Sequence, residues 1–280
     1  LEERKISHSE RSAKELFRME SPEVWEVLEE IVRSHPVLLN RAPTLHRVSV
    51  EAFFPRLWEN RAIGIHPLVC PPFNADFDGD TMSVHVPFTP EAILESSVLL
   101  LSSNNILSPA HGKPLMVPGQ DMVLGIYYLT KTLPRKLRDQ RPLYDSFEEL
   151  HVAYENGTLG LFDEIAWTHN GKGIDTTVGR VFFNEILPDE LRFVNKLLNR
   201  KEVVNIIDRC FKLFGFKRTS ELLDSLKTLG FQYATKSSIS LGVDDLVEPG
   251  AKERIIEQAS KEVKRFYDAY NKGVITEREK

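Results

Sequence analysis

Asn74-Ala75-Asp76-Phe77-Asp78-Gly79-Asp80 places three carboxylates at alternate positions, with a glycine between the last two. On an extended backbone alternate side chains point to one face. Three acids so placed repel one another unless a cation neutralises them. Magnesium is the hard ion suited to carboxylate oxygens, which it holds at ~2.1 Å in an octahedron. Three carboxylates this close in sequence can surround it only where the chain bends sharply, and Gly79 has no side chain to oppose the bend. A calcium loop of the EF-hand type asks for glycine at its sixth position and glutamate at its twelfth. Counted from Asp76, glycine stands fourth and Pro87 twelfth, so that reading fails. An exposed acidic turn without metal stays open. Against it stand the interleaved Phe73, Ala75 and Phe77 and the stiff approach Cys70-Pro71-Pro72.

Around this loop the chain has ordinary globular composition, 280 residues with 41% hydrophobic and 28% charged, enough apolar material for a real core. No apolar run approaches the ~20 residues of a membrane span, and no signal-peptide pattern opens the chain, so the expectation is a cytoplasmic protein with no membrane contact. The two cysteines, Cys70 and Cys210, exclude a disulfide framework and read as buried thiols. The net charge of -5 does not advertise a nucleic-acid binder. Within it, residues 192–218 hold eight basic and two acidic side chains, which reads as a solvated helix face or as the seat of a phosphate-bearing partner. The opening at Leu1 and the charged ending Glu277-Arg278-Glu279-Lys280 suggest a piece of something longer.

The patterning implies an α+β chain in four regions. Residues 1–35 read as helical: Ser21 caps, Pro22 starts, and Val24, Val27, Leu28, Ile31 and Val32 recur at helical spacing before His35-Pro36 ends the run. Residues 36–130 are proline-rich, with β-prone runs at Val48–Phe54, Ala62–Ile65 and Met82–Val86, a helix capped by Thr89 with Ile93, Leu94, Ser97, Val98 and Leu101 inward, and a second helix from Gly119 to about Thr130. Residues 131–187 begin with a basic linker, Lys131–Arg141, and then carry Asn156-Gly157 and Asn170-Gly171, two hairpin signals. Residues 188–280 read as helical. Val203, Val204, Ile206, Ile207, Cys210, Phe211 and Phe214 form one apolar face; Leu222, Leu223 and Leu226 begin another; and Ile255 to Tyr270 mark an amphipathic helix started near Pro249.

The aspartate loop resembles the metal-binding signature of multisubunit RNA polymerases, in their largest catalytic subunit of the bacterial type. Other segments join it. Asn40-Arg41-Ala42-Pro43-Thr44-Leu45-His46-Arg47 is similar to the family's substrate-facing segment, and His66-Pro67-Leu68-Val69-Cys70 to its lead-in. Asn104–Pro109, Pro118–Asp121, Thr176–Arg180 and Gly242–Val247 look like its continuation. The likeness covers nearly the whole chain and is weakest at 132–172.

That resemblance implies a double-psi β-barrel around the loop. By that resemblance the barrel would be incomplete within these residues, since the family's barrel also uses a strand upstream of Leu1, and it would face a similar barrel of the second-largest (beta) subunit. It further implies a small β-hairpin region and a helical funnel around a secondary channel. The implied reaction is DNA-directed nucleotidyl transfer from ribonucleoside triphosphates to an RNA 3′ end. Asp76, Asp78 and Asp80 would be catalytic and hold Mg2+. Arg41 and Asn74 would read sugar hydroxyls, Pro43 would shape the loop, and Arg41 as a structural ion pair is the alternative. His46 and Arg47 stand between structural and product-RNA contacts. His66 reads as a satisfied core histidine, and Arg56 and Arg61 as surface charges. Implied partners are the beta, alpha and omega subunits, sigma factor, DNA template, RNA product and secondary-channel regulators, in a bacterial, nucleoid-associated complex.

Two other readings remain. A single-chain RNA-dependent RNA polymerase shares a related barrel and loop, though the matches around Arg41 and after Pro109 favour the multisubunit family. A regulator-docking module without catalysis in isolation is the other, because one metal loop cannot position template, primer and nucleotide by itself.

Overall fold

The computed structural model describes residues 1, 4, 6–133 and 141–280. It is a mixed α+β chain with two compact units, residues 1–237 and 238–280. The larger unit opens with α1 (Glu10–Arg18) and α2 (Pro22–Val32). Pro22 starts α2 as its missing N–H permits, and α2 buries Val24 while Ile31 stays exposed.

Next comes a three-stranded antiparallel sheet of β1 (Val37–Asn40), β2 (Val50–Phe53) and β3 (Ser83–His85), in the order β2-β1-β3. Leu39 lies opposite both Glu51 and Val84, which centres β1. The sequence reading missed β1, because His35-Pro36 only announces an ending. It also expected a strand at 62–65, where the backbone forms none. The strands are short, and much of residues 36–118 is irregular chain held by turns.

The helix α4 (Pro90–Val98) is capped by Thr89, whose Oγ1 accepts from the Ala92 N–H. Its buried residue is Ser96, while Leu94 and Val98 lie exposed, so the expected inward face is corrected. Apolar side chains stand on more than one side of this helix, and periodicity alone could not choose between them.

The larger unit's core is organised by α5 (Gln120–Thr130) against α8 (Arg200–Ser237). Ile126 and Leu129 are fully buried on α5, as are Ile207, Cys210 and Leu226 on α8. The two helices approach closely through glycines. A Cβ on Gly125 would collide with the Gly230 carbonyl and stand 2.7 Å from the Ala234 nitrogen. Gly215, at φ 70°, bends α8 between the two apolar faces read from sequence.

Between them lie β4 (Leu143–Tyr144), α6 (Phe147–Glu155), β5 (Glu164–His169), β6 (Lys172–Thr177) and α7 (Val178–Glu185). Asn170-Gly171 is the β5–β6 hairpin turn, with both residues at positive φ. Asn156-Gly157 is not a hairpin. It ends α6, with Gly157 at φ 71° and the Thr158 N–H reaching back to the Ala153 carbonyl. The same dipeptide supplies the left-handed residue that a helix C-terminus needs. Of the expected linker Lys131–Arg141, residues 134–140 lie outside the described residues.

The smaller unit contains α9 (Lys252–Asn271). Its stripe Ile255, Ile256, Val263, Phe266 and Tyr267 is exposed, between 51% and 61% of each residue.

Candidate metal centre

The aspartate loop is delivered by two consecutive turns. His66 caps a 3-10 turn, Pro67–Val69, by accepting the Leu68 N–H on Nδ1 at 3.2 Å. The short helix α3 (Cys70–Phe73) follows and is anchored by Phe73, which is 1% exposed. Asn74 ends it in the left-handed conformation (φ 49°, ψ 44°), which asparagine tolerates better than most residues. The chain then bends through residues 77–79, with Gly79 at φ 128° and open space where a Cβ would stand. The three acids therefore sit on a bend and not on a strand.

That bend brings one oxygen of each of Asp76, Asp78 and Asp80 within 4.8 Å of the others; no other three potential ligand side chains converge so among the described residues. Arg41, just past β1, donates from Nε to Asp80 Oδ2 at 2.6 Å, and the Asp76 N–H donates to the same oxygen at 3.1 Å. The Arg41 bond is the main reason the Asp80 carboxyl is held below its ordinary value. Asp76 moves the other way. A hydrogen bond with Asp78 is the largest cause, with some desolvation and the neighbouring negative charges of Asp78 and Asp80 adding to it. Without a cation the cluster is electrostatically frustrated, and only one of its acids is relieved by an arginine.

The structure brings Arg41 to the triad and places Asn74 at its entrance. Pro43 lies on the same exposed loop as Arg41, after a cis Ala42–Pro43 peptide bond. His46 Nδ1 and the Ser49 hydroxyl share a hydrogen bond at 3.2 Å, a local contact, while Arg47, Arg56 and Arg61 are exposed. His66 is satisfied but only half-buried: Nε2 faces Asp224 Oδ1 at 2.9 Å and Lys227 Nζ at 3.0 Å, both on α8. Sequence reading missed this link, since no local pattern connects residues 161 positions apart. Cys70 and Cys210 are both free thiols, the second buried.

The site is thus a cluster of acids able to take a divalent cation, borne on a mixed α+β scaffold. The family model for RNA polymerase Rpb1, domain 2, matches residues 1–102, and that for RNA polymerase Rpb1, domain 3, matches residues 105–246. DNA-directed RNA polymerase subunit beta′ of Sulfurihydrogenibium sp. (strain YO3AOP1) is 50% identical over 280 residues, covering 100% of this chain and 18% of that protein. The subunit of the same name from Desulforudis audaxviator is 48% identical, covering 98% of this chain and 24% of that protein. The Aquifex aeolicus subunit is 49% identical over 100% of this chain and 18% of its own length. The chain belongs to the RNA polymerase Rpb1 family, on the side of the bacterial beta′ subunits. It spans about a fifth of the length of the curated relatives it matches.

Proposed function

We propose that this chain carries part of the catalytic centre of a DNA-directed RNA polymerase, with Asp76, Asp78 and Asp80 as ligands of the magnesium ion used in nucleotidyl transfer. The observation that carries this reading is the convergence of the three carboxylates on the Gly79 bend in a chain of the Rpb1 family. The residues fit the ion. The three oxygens lie within 4.8 Å of one another, and octahedral ligands at ~2.1 Å stand ~3.0 Å apart when adjacent and ~4.2 Å when opposite, so side-chain rotations that draw the acids together would let them share one ion. When bound, the ion favours the ionised form of the attacking RNA hydroxyl and offsets charge on the leaving oxygen.

The chain's own groups prepare that site. Arg41 keeps Asp80 ionised and fixes which of its oxygens faces away from the guanidinium. Gly79 turns Asp78 and Asp80 back toward Asp76. Arg41 and Asn74 offer donors to the sugar hydroxyls of an incoming ribonucleoside triphosphate, and a sugar lacking the 2′-hydroxyl leaves a donor unmatched. Pro43 shapes the loop that presents Arg41.

The wider reading places residues 36–130 in a double-psi β-barrel that other segments of the subunit complete and that faces the beta subunit's barrel. Residues 1–35 form its helical lead-in, residues 131–187 the linker and hairpin, and residues 188–280 the funnel of the secondary channel. Alpha, omega and sigma, the DNA template and the RNA product belong to the same assembly, at the bacterial nucleoid. A second reading applies to the isolated piece: the uncovered apolar stripe of α9 favours a surface on which secondary-channel regulators dock.

The test is a magnesium titration of phosphodiester formation by the assembled polymerase carrying Asp78→Asn. The substitution keeps volume and removes a charge, so assembly and thermal stability should hold while catalysis falls by orders of magnitude. Full turnover by the variant at low magnesium would remove the loop from the catalytic site. Residues 1–280 alone should make no RNA, because positioning of template and primer is missing.

A further inference from the structure

The aspartate loop is rooted in His66, and His66 is held from the far side by α8. On one edge the imidazole accepts the Leu68 N–H through Nδ1. That nitrogen must therefore carry a lone pair, which puts the neutral ring's proton on Nε2. Nε2 then donates to Asp224 Oδ1 at 2.9 Å. Lys227 Nζ, 3.0 Å from Nε2, has no lone pair to offer that proton; it stands 3.7 Å from Asp224 Oδ1 and completes a small charge cluster. Asp224 and Lys227 are set by the buried residues that flank them on α8, Leu222, Leu223 and Leu226. From His66 to Asp76 the chain runs through one 3-10 turn and α3, whose Leu68, Val69 and Phe73 are buried. A displacement at His66 is therefore passed along a packed segment to Asn74 and the aspartates.

We propose that His66 is a positioning residue for the aspartate loop: in its Nε2–H form it ties the cap of the Pro67–Val69 turn to Asp224 of α8, and so fixes where α3 delivers the three carboxylates. The tie works in one protonation state. Adding a proton at Nδ1 removes the acceptor that caps Leu68, so the turn loses its hold while the contact with Asp224 persists. Burial and then Lys227 hold the His66 imidazole below its ordinary value, against the opposing pull of Asp224, which keeps the neutral form in place. Among the described residues Asp224 and Lys227 are the charged groups facing the ring.

The proposal rests on the magnesium reading of the loop, and the experiment separates the two. In the assembled polymerase, His66→Ala, His66→Gln, Asp224→Ala and Asp224→Asn are compared by the magnesium concentration for half-maximal phosphodiester formation. A second readout is amide hydrogen exchange of the 67–76 segment in metal-free enzyme. His66→Ala and Asp224→Ala should each raise the half-maximal magnesium roughly three- to ten-fold, the factor expected for one partly exposed hydrogen bond. The double variant should be no worse than His66→Ala alone, because that substitution already removes the link to Asp224 along with the cap on Leu68. Asp224→Asn, which still accepts from Nε2, should stay near wild type. Exchange of the 67–76 segment should speed up in both alanine variants. On lowering pH the wild-type magnesium requirement should rise more steeply than that of His66→Gln, which keeps only the rise due to protonation of the aspartates themselves. Unchanged magnesium dependence and unchanged exchange in His66→Ala, or additive effects in the double variant, would overturn the tether. If Asp78→Asn keeps full activity, the metal reading itself falls, and the exchange experiment still reports whether the tether exists.

Discussion

Arg41 Nε sits 2.6 Å from Asp80 Oδ2, joining the end of β1 to the aspartate loop across 39 residues of sequence. The contact makes Arg41 both a ligand-orienting group and a candidate reader of sugar hydroxyls, and a single substitution separates these roles. In Arg41→Ala the Asp80 carboxyl loses the main influence holding its pKa down. Its proton then binds at higher pH, so the acid limb of the activity profile should move upward. If Arg41 also meets the sugar, the ribo-to-deoxynucleotide incorporation ratio should fall as well. A shifted acid limb with an unchanged ratio would confine Arg41 to Asp80. Arg41→Lys should rescue the charge but not the fork-shaped donor set.

Gly125→Ala is expected to damage the fold rather than the chemistry. A methyl there meets the backbone of Gly230 and Ala234 on α8, atoms that cannot swing aside as a long side chain can. Overpacking of this kind costs ~1–3 kcal/mol and occasionally more, which exceeds the ~1 kcal/mol an alanine gains within a helix. The control is Gly173→Ala, where nothing stands within 4 Å of the added atom. Urea midpoints of the two variants should separate clearly, and equal midpoints would mean that α5 and α8 can slide apart at little cost.

What the sequence made legible was local. The spacing of Asp76, Asp78 and Asp80 around Gly79 announced the cluster, because a loop of five residues carries its own geometry. The faces of α8 and α9 were readable because long helices repeat their pattern. What failed was whatever depended on the partner across space. The Arg41–Asp80 contact and the His66–Asp224 link join distant segments. The buried side of α4 depends on which neighbour covers it, and Asn156-Gly157 serves a helix end as readily as a hairpin. The strand β1 is too short to show alternation, and its place is set by β2 and β3.

Glu51 gives a pH prediction for stability. Its side chain on β2 is fully buried, and neither carboxylate oxygen has a hydrogen-bond partner among the described residues. Burial pushes its carboxyl up from 4.5 to about 8. The sign follows from proton counts. Between the unfolded and folded values the folded chain keeps a proton that the unfolded chain has released, so stability falls as pH rises from about 4.5 to about 8. Each pH unit in that window costs ~1.4 kcal/mol at most, roughly 3–5 kcal/mol across it. Below it the neutral acid carries no such penalty. Glu51→Gln should therefore match wild type near the acid end and exceed it near the alkaline end. Parallel stability curves for the two proteins across this range would show that Glu51 is not buried as a neutral acid.

Gly79 offers the sharpest separation between folding and site. At φ 128° it holds a backbone conformation that side-chain-bearing residues rarely adopt, yet a Cβ would meet nothing within 4 Å. Gly79→Ala is therefore opposed by backbone strain alone, ~1–3 kcal/mol if the bend were kept. The loop is exposed, so it can relieve that strain by opening, and opening moves Asp78 and Asp80 away from Asp76. Global stability should change little, in contrast to Gly125→Ala, where the collision lies in the core. Magnesium dependence should change much, with the half-maximal concentration for phosphodiester formation rising roughly ten-fold or more, since ~1.4 kcal/mol of lost preorganisation is already a factor of ten. The measurement is a magnesium titration beside a thermal melt of the same assembled enzyme. A variant with wild-type magnesium dependence would show that the bend at Gly79 does not set the spacing of the three carboxylates, and that Arg41 and the packed turn behind Asn74 hold them without it.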